Sequence, residues 1–360
     1  MEHTEGIDGI DVEAVTRWLG ERLEWLAPPL AFTKLTGGHS NFTYRVDDEG
    51  GRAFVVRRPP LGELLPMAHD MGREFTLISG LWPTPVPVPE PLAFCEDPEV
   101  TGAPFFAMGF VDGGPIYTEE DVVARIDGVA DRAKTGPSFI DTLAALHAVD
   151  PDEVGLGKLG KRDSYVGRQL NRWYASWNAS KNRDLPDVDR LHDFLAERLP
   201  EQAETRVVHG DYGLHNCVVG RDGTVLAVVD WEISTLGDPL ADLAYCVNWW
   251  DRDDSPARME GFDPPEALVE RYGITTGRTS ARSSTTAAST TGRRSASCRA
   301  STPATSTARS PPKAWTSTTS RCGSTSTWPR PSPWPAASDP WRPRPAWRAQ
   351  AWSAVERFAG

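Results

Sequence analysis

From residue 275 to residue 360 the chain contains no Leu, Ile, Met or Tyr, while 31 of these 86 residues are Ser or Thr and 10 are Pro. Such a segment buries too little apolar surface to offset the entropy of ordering it. It is therefore expected to lie outside any core. It carries 13 Lys+Arg against two acids, Asp339 and Glu356, a net of +11, so the whole-chain charge of -12 leaves -23 on the first 274 residues. Six tryptophans (Trp315, Trp328, Trp334, Trp341, Trp347 and Trp352) are out of keeping with a naturally disordered arm. Joint loss of Leu, Ile and Met with gain of Arg, Ser, Thr, Pro and Trp is what a GC-rich gene gives when read out of frame. The expectation is a change of frame somewhere in residues 273–285.

The remaining length is ample for one bilobal unit or two small domains. No stretch approaches the roughly 20 apolar residues that span a bilayer, and the acidic N-terminus, residues 1–11, has no apolar core of a signal peptide. The five cysteines are scattered without CxxC spacing, which points to reduced thiols in a cytoplasmic protein and away from a zinc framework. A net charge of -23 also argues against a nucleic-acid partner, because neutralising phosphates supplies most of that affinity.

Residues 11–26 have apolar side chains at roughly helical spacing behind an acidic start. Short β-type runs follow at 31–36, 42–46 and 53–57, the last two joined by the turn cluster Asp47-Asp48-Glu49-Gly50-Gly51. A helical pattern at 67–81 leads to further strands at 88–95 and 105–111. From about residue 115 to 200 the spacing is mainly helical, then come short strands at 206–208, 216–219 and 225–229 and helices at 240–250 and 265–272. The expected fold class is α+β, with a small β-rich N-terminal lobe, residues 1–113, and a larger helical C-terminal lobe, residues 114–274. Residues 275–360 form the tail, disordered or out of frame, so the second lobe is expected to be incomplete.

The chemistry concentrates in residues 207–216, VVHGDYGLHN, and 228–232, VVDWE. Asp211, Asn216 and Asp230 fall at strand ends or in a tight loop, where a scaffold can aim side chains into a cleft. Phosphoryl transfer needs a carboxylate to orient and deprotonate an acceptor hydroxyl, and oxygen ligands to hold Mg²⁺ on nucleotide phosphates. The order D-x-x-x-x-N followed by an Asp closing the next strand matches the protein-kinase catalytic loop and its metal-binding Asp. Upstream, Thr36-Gly37-Gly38-His39-Ser40-Asn41 lies between two strands, and its glycines let backbone N–H groups approach phosphates. Arg57 occupies the third strand where a kinase carries Lys, and Glu74 lies in the following helix as its ion-pair partner. Met108 and Phe110 lie at the β-to-α boundary, where a hinge presents backbone groups to an adenine. A competing reading, in which His209, Asp211 and His215 are a hydrolase metal triad, leaves the upstream glycines and strands unexplained.

Residues 32–250 resemble the aminoglycoside phosphotransferase family, distant relatives of protein kinases, and within it the kinase-like domains attached to acyl-CoA dehydrogenases. The likeness is carried by LTGGHSNFTYRV (35–46), FVVRRPP (54–60), GREF (72–75), LAALHAVD (143–150), VVHGDYGLHN and VVDWEISTLGDPLADLA (228–244). It implies a two-lobed kinase-like fold that uses ATP with Mg²⁺. By matching positions, Asp211 would be the base, Asn216 and Asp230 the metal ligands, and Arg57, held by Glu74, the phosphate contact. Gly37, Gly38, Ser40, Asn41, Met108 and Phe110 would complete the nucleotide site. The implied acceptor is a small-molecule hydroxyl, a hydroxyacyl-CoA or an aminoglycoside-like compound being the candidates. Family members continue past this point with amphipathic helices, whereas this chain switches to the Ser/Thr/Arg tail. The alternative function is an inactive nucleotide-binding pseudokinase or truncated remnant. Intact Asp211, Asn216 and Asp230 favour the enzyme.

Overall fold

A computed structural model describes residues 7–35, 41–61 and 70–278, all within one compact unit. Helix α1 (Val12–Gly20) opens on Asp11, whose side chain accepts from the Ala14 N–H, and buries Val15 and Leu19. It stops well short of residue 26 because the chain after Gly20 turns back through i→i−3 and i→i−4 bonds at Arg22 and Leu23, which keeps Leu23 in the core without extending the helix.

A five-stranded antiparallel sheet follows, built from β1 (Leu30–Lys34), β2 (Phe42–Asp48), β3 (Ala53–Arg58), β4 (Pro91–Cys95) and β5 (Phe105–Gly109) in the order β1-β2-β3-β5-β4. The turn cluster at 47–51 joins β2 and β3 as its composition predicts. The two-residue period of β3 decides what each face sees. Phe54 and Val56 join Val15, Leu19, Tyr44, Val46 and Phe105 in the core beneath α1, with Trp18 edge-on to Phe105 at 5.2 Å between ring centroids. Val55 and Arg57 take the opposite face, which helix α2 (Met71–Leu81) covers through Phe75 against Phe94 and Phe106. Asp70 caps α2 from Arg73 N–H, and the buried stripe of the helix reads Met71, Glu74, Leu77, Ile78 and Leu81. Glu74 is thus placed by helical spacing on an apolar face, where a carboxylate persists only with a partner.

The second lobe contains α3 (Glu119–Arg125), α4 (Val129–Ala148), α5 (Tyr165–Ser180) and α6 (Pro186–Ala196), then two short antiparallel ladders. Strand β6 (Arg206–Val208) pairs with β9 (Thr235–Gly237), and β7 (Cys217–Val219) with β8 (Val225–Val228). Helices α7 (Pro239–Trp250) and α8 (Pro265–Thr276) close the described chain. Asn216, expected to start a strand, instead ends a 3-10 turn, Leu214–Asn216, that precedes β7. Phe139 of α4 stacks on Tyr212 at 4.5 Å and on Trp250 at 5.4 Å, so the main core of this lobe lies directly under the 207–216 segment. The lobes are joined by the Val228 N–H to the Pro87 carbonyl at 2.8 Å, and Gly114, where the second lobe begins, exchanges backbone bonds in both directions with Val219. Among the described residues, Cys95, Cys217 and Cys246 are free and buried, and no helix is long and apolar enough to cross a membrane.

Candidate active site

The segment that carries Asp211 is held in an unusual path by its neighbours. Gly210 has φ +85°, a conformation glycine adopts without the clash that a side chain suffers. The backbone N–H groups of His209 and Gly210 donate to the two carboxylate oxygens of Asp242, at 2.6 and 2.9 Å. Asp238, in the same GDPLADLA stretch, caps α7 through the Leu240 N–H. His209 is fully buried and uses both ring nitrogens: Nε2 donates to the Val229 carbonyl at 3.0 Å and Nδ1 accepts from the Asp211 N–H at 3.3 Å. Burial holds its pKa below the usual value. A histidine so committed has no lone pair for a metal, which removes the hydrolase triad.

The Asp211 carboxylate gathers three side chains. His215 Nε2 lies 3.3 Å from Oδ1, Asn216 Nδ2 donates to Oδ2 at 3.1 Å and to the Asp211 carbonyl at 3.0 Å, and the Tyr245 hydroxyl donates to Oδ1. The His215 hydrogen bond, more than any other contact, pulls the Asp211 pKa down to about 2. The group is ionised at neutral pH and weakly basic. The Tyr245 hydroxyl is pushed the other way, first by burial and then by the Asp211 carboxylate. Tyr117 and Trp249 flank His215, with ring centroids at 6.4 and 5.2 Å, so aromatic surface borders the carboxylate.

Asp230 follows β8 at φ +65°, in the left-handed region that costs a non-glycine residue about 1–2 kcal/mol. That turn sends its carboxylate across to the N-terminal lobe, where Arg57 Nη2 donates to Oδ1 at 2.6 Å. Arg57 Nε donates to Glu74 Oε2 at 3.1 Å, so one nearly buried guanidinium joins β3, α2 and the end of β8. Burial opposes its charge, but Glu74, Asp230 and Glu232 together hold its pKa above the usual value. With three carboxylates around one cation, burial pushes Glu74 up to about 7, Arg57 countering only in part.

Of the residues singled out from sequence, Arg57, Glu74 and Asp230 meet in one cluster and Asp211 and Asn216 in a second, and the Val229 N–H, donating to the Asn216 carbonyl at 3.0 Å, ties the two chain segments at one end of the β7-β8 ladder. Asn41 is buried, with Nδ2 3.4 Å from Glu232 Oε2. Met108 is buried in β5 opposite Val55, and Phe110 follows the strand with the Arg45 guanidinium 4.4 Å above its ring. Gly37, Gly38 and Ser40 lie outside the described residues. Sequence reasoning weighed His215 only as a metal ligand of the competing triad, and missed Tyr245, Glu232 and Arg73. The last reaches from α2 to the carbonyls of Leu159, at 2.9 Å, and Ser234, at 2.5 Å, tying α2 to the loop after Asp230. Only the D-W-E spacing of Asp230 to Glu232 could have flagged one of them.

The two residues expected to hold a metal, Asn216 and Asp230, offer one amide oxygen and one carboxylate, a set that suits Mg²⁺, which takes one or two protein oxygens and completes its shell with water and phosphate. Asn216 spends its amide N–H groups on Asp211, which leaves its oxygen as the group to offer a cation. Among the described residues no cluster of three or more His, Cys, Asp and Glu forms a metal centre of another kind.

A family model described as "Phosphotransferase enzyme family" (APH) matches residues 31–281. The chain is 36% identical over 233 residues to acyl-CoA dehydrogenase family member 11 of Gallus gallus, covering 62% of this chain and 28% of that protein. It is 35% identical over 252 residues to acyl-CoA dehydrogenase family member 10 of Mus musculus, covering 69% of this chain and 23% of that one. It thus spans less than a third of the length of these curated relatives. Among solved structures, a candidate aminoglycoside phosphotransferase from Ralstonia eutropha JMP134 superposes with a TM-score of 0.63 at 31% identity, over 74% of this chain and 80% of that one.

Proposed function

The chain belongs to the phosphotransferase enzyme family, and from that premise we propose that it transfers the γ-phosphoryl group of ATP, with Mg²⁺, to a hydroxyl of a small molecule. The observation that carries this reading is the pair of clusters just described: a carboxylate oriented by Asn216, and a guanidinium that bridges Glu74 and Asp230, on chain segments tied by the Val229 N–H to the Asn216 carbonyl.

Asp211 would accept the hydrogen bond of the acceptor hydroxyl and fix its angle of attack. In a loose phosphoryl-transfer transition state the nucleophile's proton leaves late, so a carboxylate with a pKa of about 2 serves for orientation first and as proton acceptor last. Asn216 and Asp230 would hold Mg²⁺, which when bound neutralises phosphate charge. Arg57 would turn its Nη edge from Asp230 to the nucleotide phosphates while Nε keeps Glu74, a division that one guanidinium permits and one ammonium does not. Asn41, Met108 and Phe110, with Gly37, Gly38 and Ser40, would form the remainder of the nucleotide site.

For the acceptor we favour a hydroxyacyl-CoA over an aminoglycoside, because curated relatives at 35–36% identity are named as acyl-CoA dehydrogenase family members. A net charge of -23 on residues 1–274 supports a small-molecule partner over a nucleic acid, and a cytoplasmic protein would meet both substrates. The test is Mg²⁺-dependent turnover of ATP with a panel of hydroxylated acceptors, comparing the wild type with Asp211→Ala. Transfer should fall about 10²- to 10⁴-fold in the variant. Equal rates would remove Asp211 from the chemistry and the reading with it.

A further inference from the structure

Strand β6 delivers the chain to His209, Gly210 and Asp211, and it is held at its tip by α7, which α8 backs through His147, and at its root by Arg278, just past the end of α8. At its tip, Asp242 accepts the His209 and Gly210 N–H groups. Behind Asp242 stands His147, with no exposed side-chain surface, its Nε2 3.5 Å from Asp242 Oδ2. With Nε2–H directed at a carboxylate, Nδ1 is left to accept, and it lies 2.7 Å from the Tyr272 hydroxyl of α8. At the root of β6, Arg278 donates through Nε to Glu204 Oε1, and through Nη2 to Glu204 Oε2 at 3.0 Å and to the His147 carbonyl at 3.1 Å. The same guanidinium reaches the Tyr272 hydroxyl from Nη1 at 3.4 Å. Glu204 in turn accepts from Arg206 Nε in β6 itself, at 3.1 Å.

We infer that Tyr272 and Arg278 are positioning residues: α8 and the turn that follows it brace β6 from tip and root, and thereby fix the loop on which Asp211 sits. None of these groups touches the site. Tyr272 acts through His147 and Asp242, and Arg278 through Glu204 and through the carbonyl of His147. The hydroxyl of Tyr272 has no other evident task, since its ring is already buried, and a phenylalanine would fill the same volume. The catalytic consequence rests on the phosphotransferase reading above. The mechanical one does not.

Two variants of the full-length chain separate these layers. Tyr272→Phe removes one hydroxyl and keeps the packing, and Arg278→Gln removes a partly exposed cation. Hydrogen exchange measured without nucleotide should show the His209 and Gly210 amides opening up to about tenfold faster in both variants. Amides of β2 and β3 should stay at wild-type rates. Phosphoryl transfer should lose kcat with the KM for ATP unchanged. Wild-type exchange at His209 and Gly210 in both variants overturns the brace, as does acceleration spread evenly over the molecule. If the local acceleration appears while the wild type itself transfers no phosphate, the brace stands and the functional reading falls.

Discussion

Arg57 stands where a kinase carries lysine, and the structure shows what the exchange permits. An ammonium is a point charge, whereas a guanidinium donates from separate edges, and here Nε serves Glu74 while Nη2 serves Asp230. The cluster still holds more carboxylates than cations, and Glu74 bears the surplus because it is the most deeply buried of them. Its pKa of about 7 in the folded chain lies above the usual value of about 4.3 for an unfolded one. The folded state therefore binds that proton more tightly. Stability from it is fully present below about pH 4 and is lost as pH rises through about 7. Glu74→Gln removes the titration and keeps the shape. Urea unfolding of nucleotide-free protein from about pH 5 to 8 should show the variant gaining on the wild type by on the order of 2 kcal/mol. Parallel pH profiles would mean that Arg57 neutralises Glu74 throughout.

At the scale of elements, α4 and the 207–216 segment form one packed body. Phe139 stacks against Tyr212 and Trp250, and the Tyr212 hydroxyl donates to the Phe139 carbonyl at 2.7 Å. Because Tyr212 directly follows Asp211, a cavity there loosens the site as well as the fold. Phe139→Ala should cost about 3–5 kcal/mol in urea unfolding and should lower transfer more than that loss of folded protein explains. A cost below about 1 kcal/mol would show that the lobe's core lies elsewhere. These elements also mark what the sequence could tell. Asp211, Asn216 and Asp230 are legible because they lie within 20 residues in a loop-and-hairpin unit of fixed spacing. Arg57 and Glu74 are legible because strand and helix periods put each on a definable face. Tyr245 is 34 residues from Asp211 and sits on a helix whose partner no local pattern names. Strand β9, three residues without a period of its own, exists only because β6 offers it an edge.

At the scale of the whole molecule, the chain divides where its composition does. The described fold runs to Arg278, whose guanidinium is fastened to Glu204 and His147, and the family model runs to residue 281. Both limits fall inside residues 273–285, where Leu, Ile and Met vanish and the charge changes from -23 over the first 274 residues to +11 over the last 86. A protein under selection for folding has no physical reason to lose every Leu, Ile and Met after Ile274, a few residues before a family match stops. A displaced reading frame accounts for both at once. One of the other two frames of the coding DNA, read onward from this window, should therefore restore Leu, Ile and Val at helical spacing together with acidic residues. A chain rejoined in that frame should bury the new apolar faces, and each kcal/mol gained should raise the melting temperature by about 2–4 °C. Sequencing the gene and melting the two chains side by side decides it. If neither frame carries a helical period, or if the rejoined chain melts no higher, the Ser/Thr/Arg segment is the protein's own.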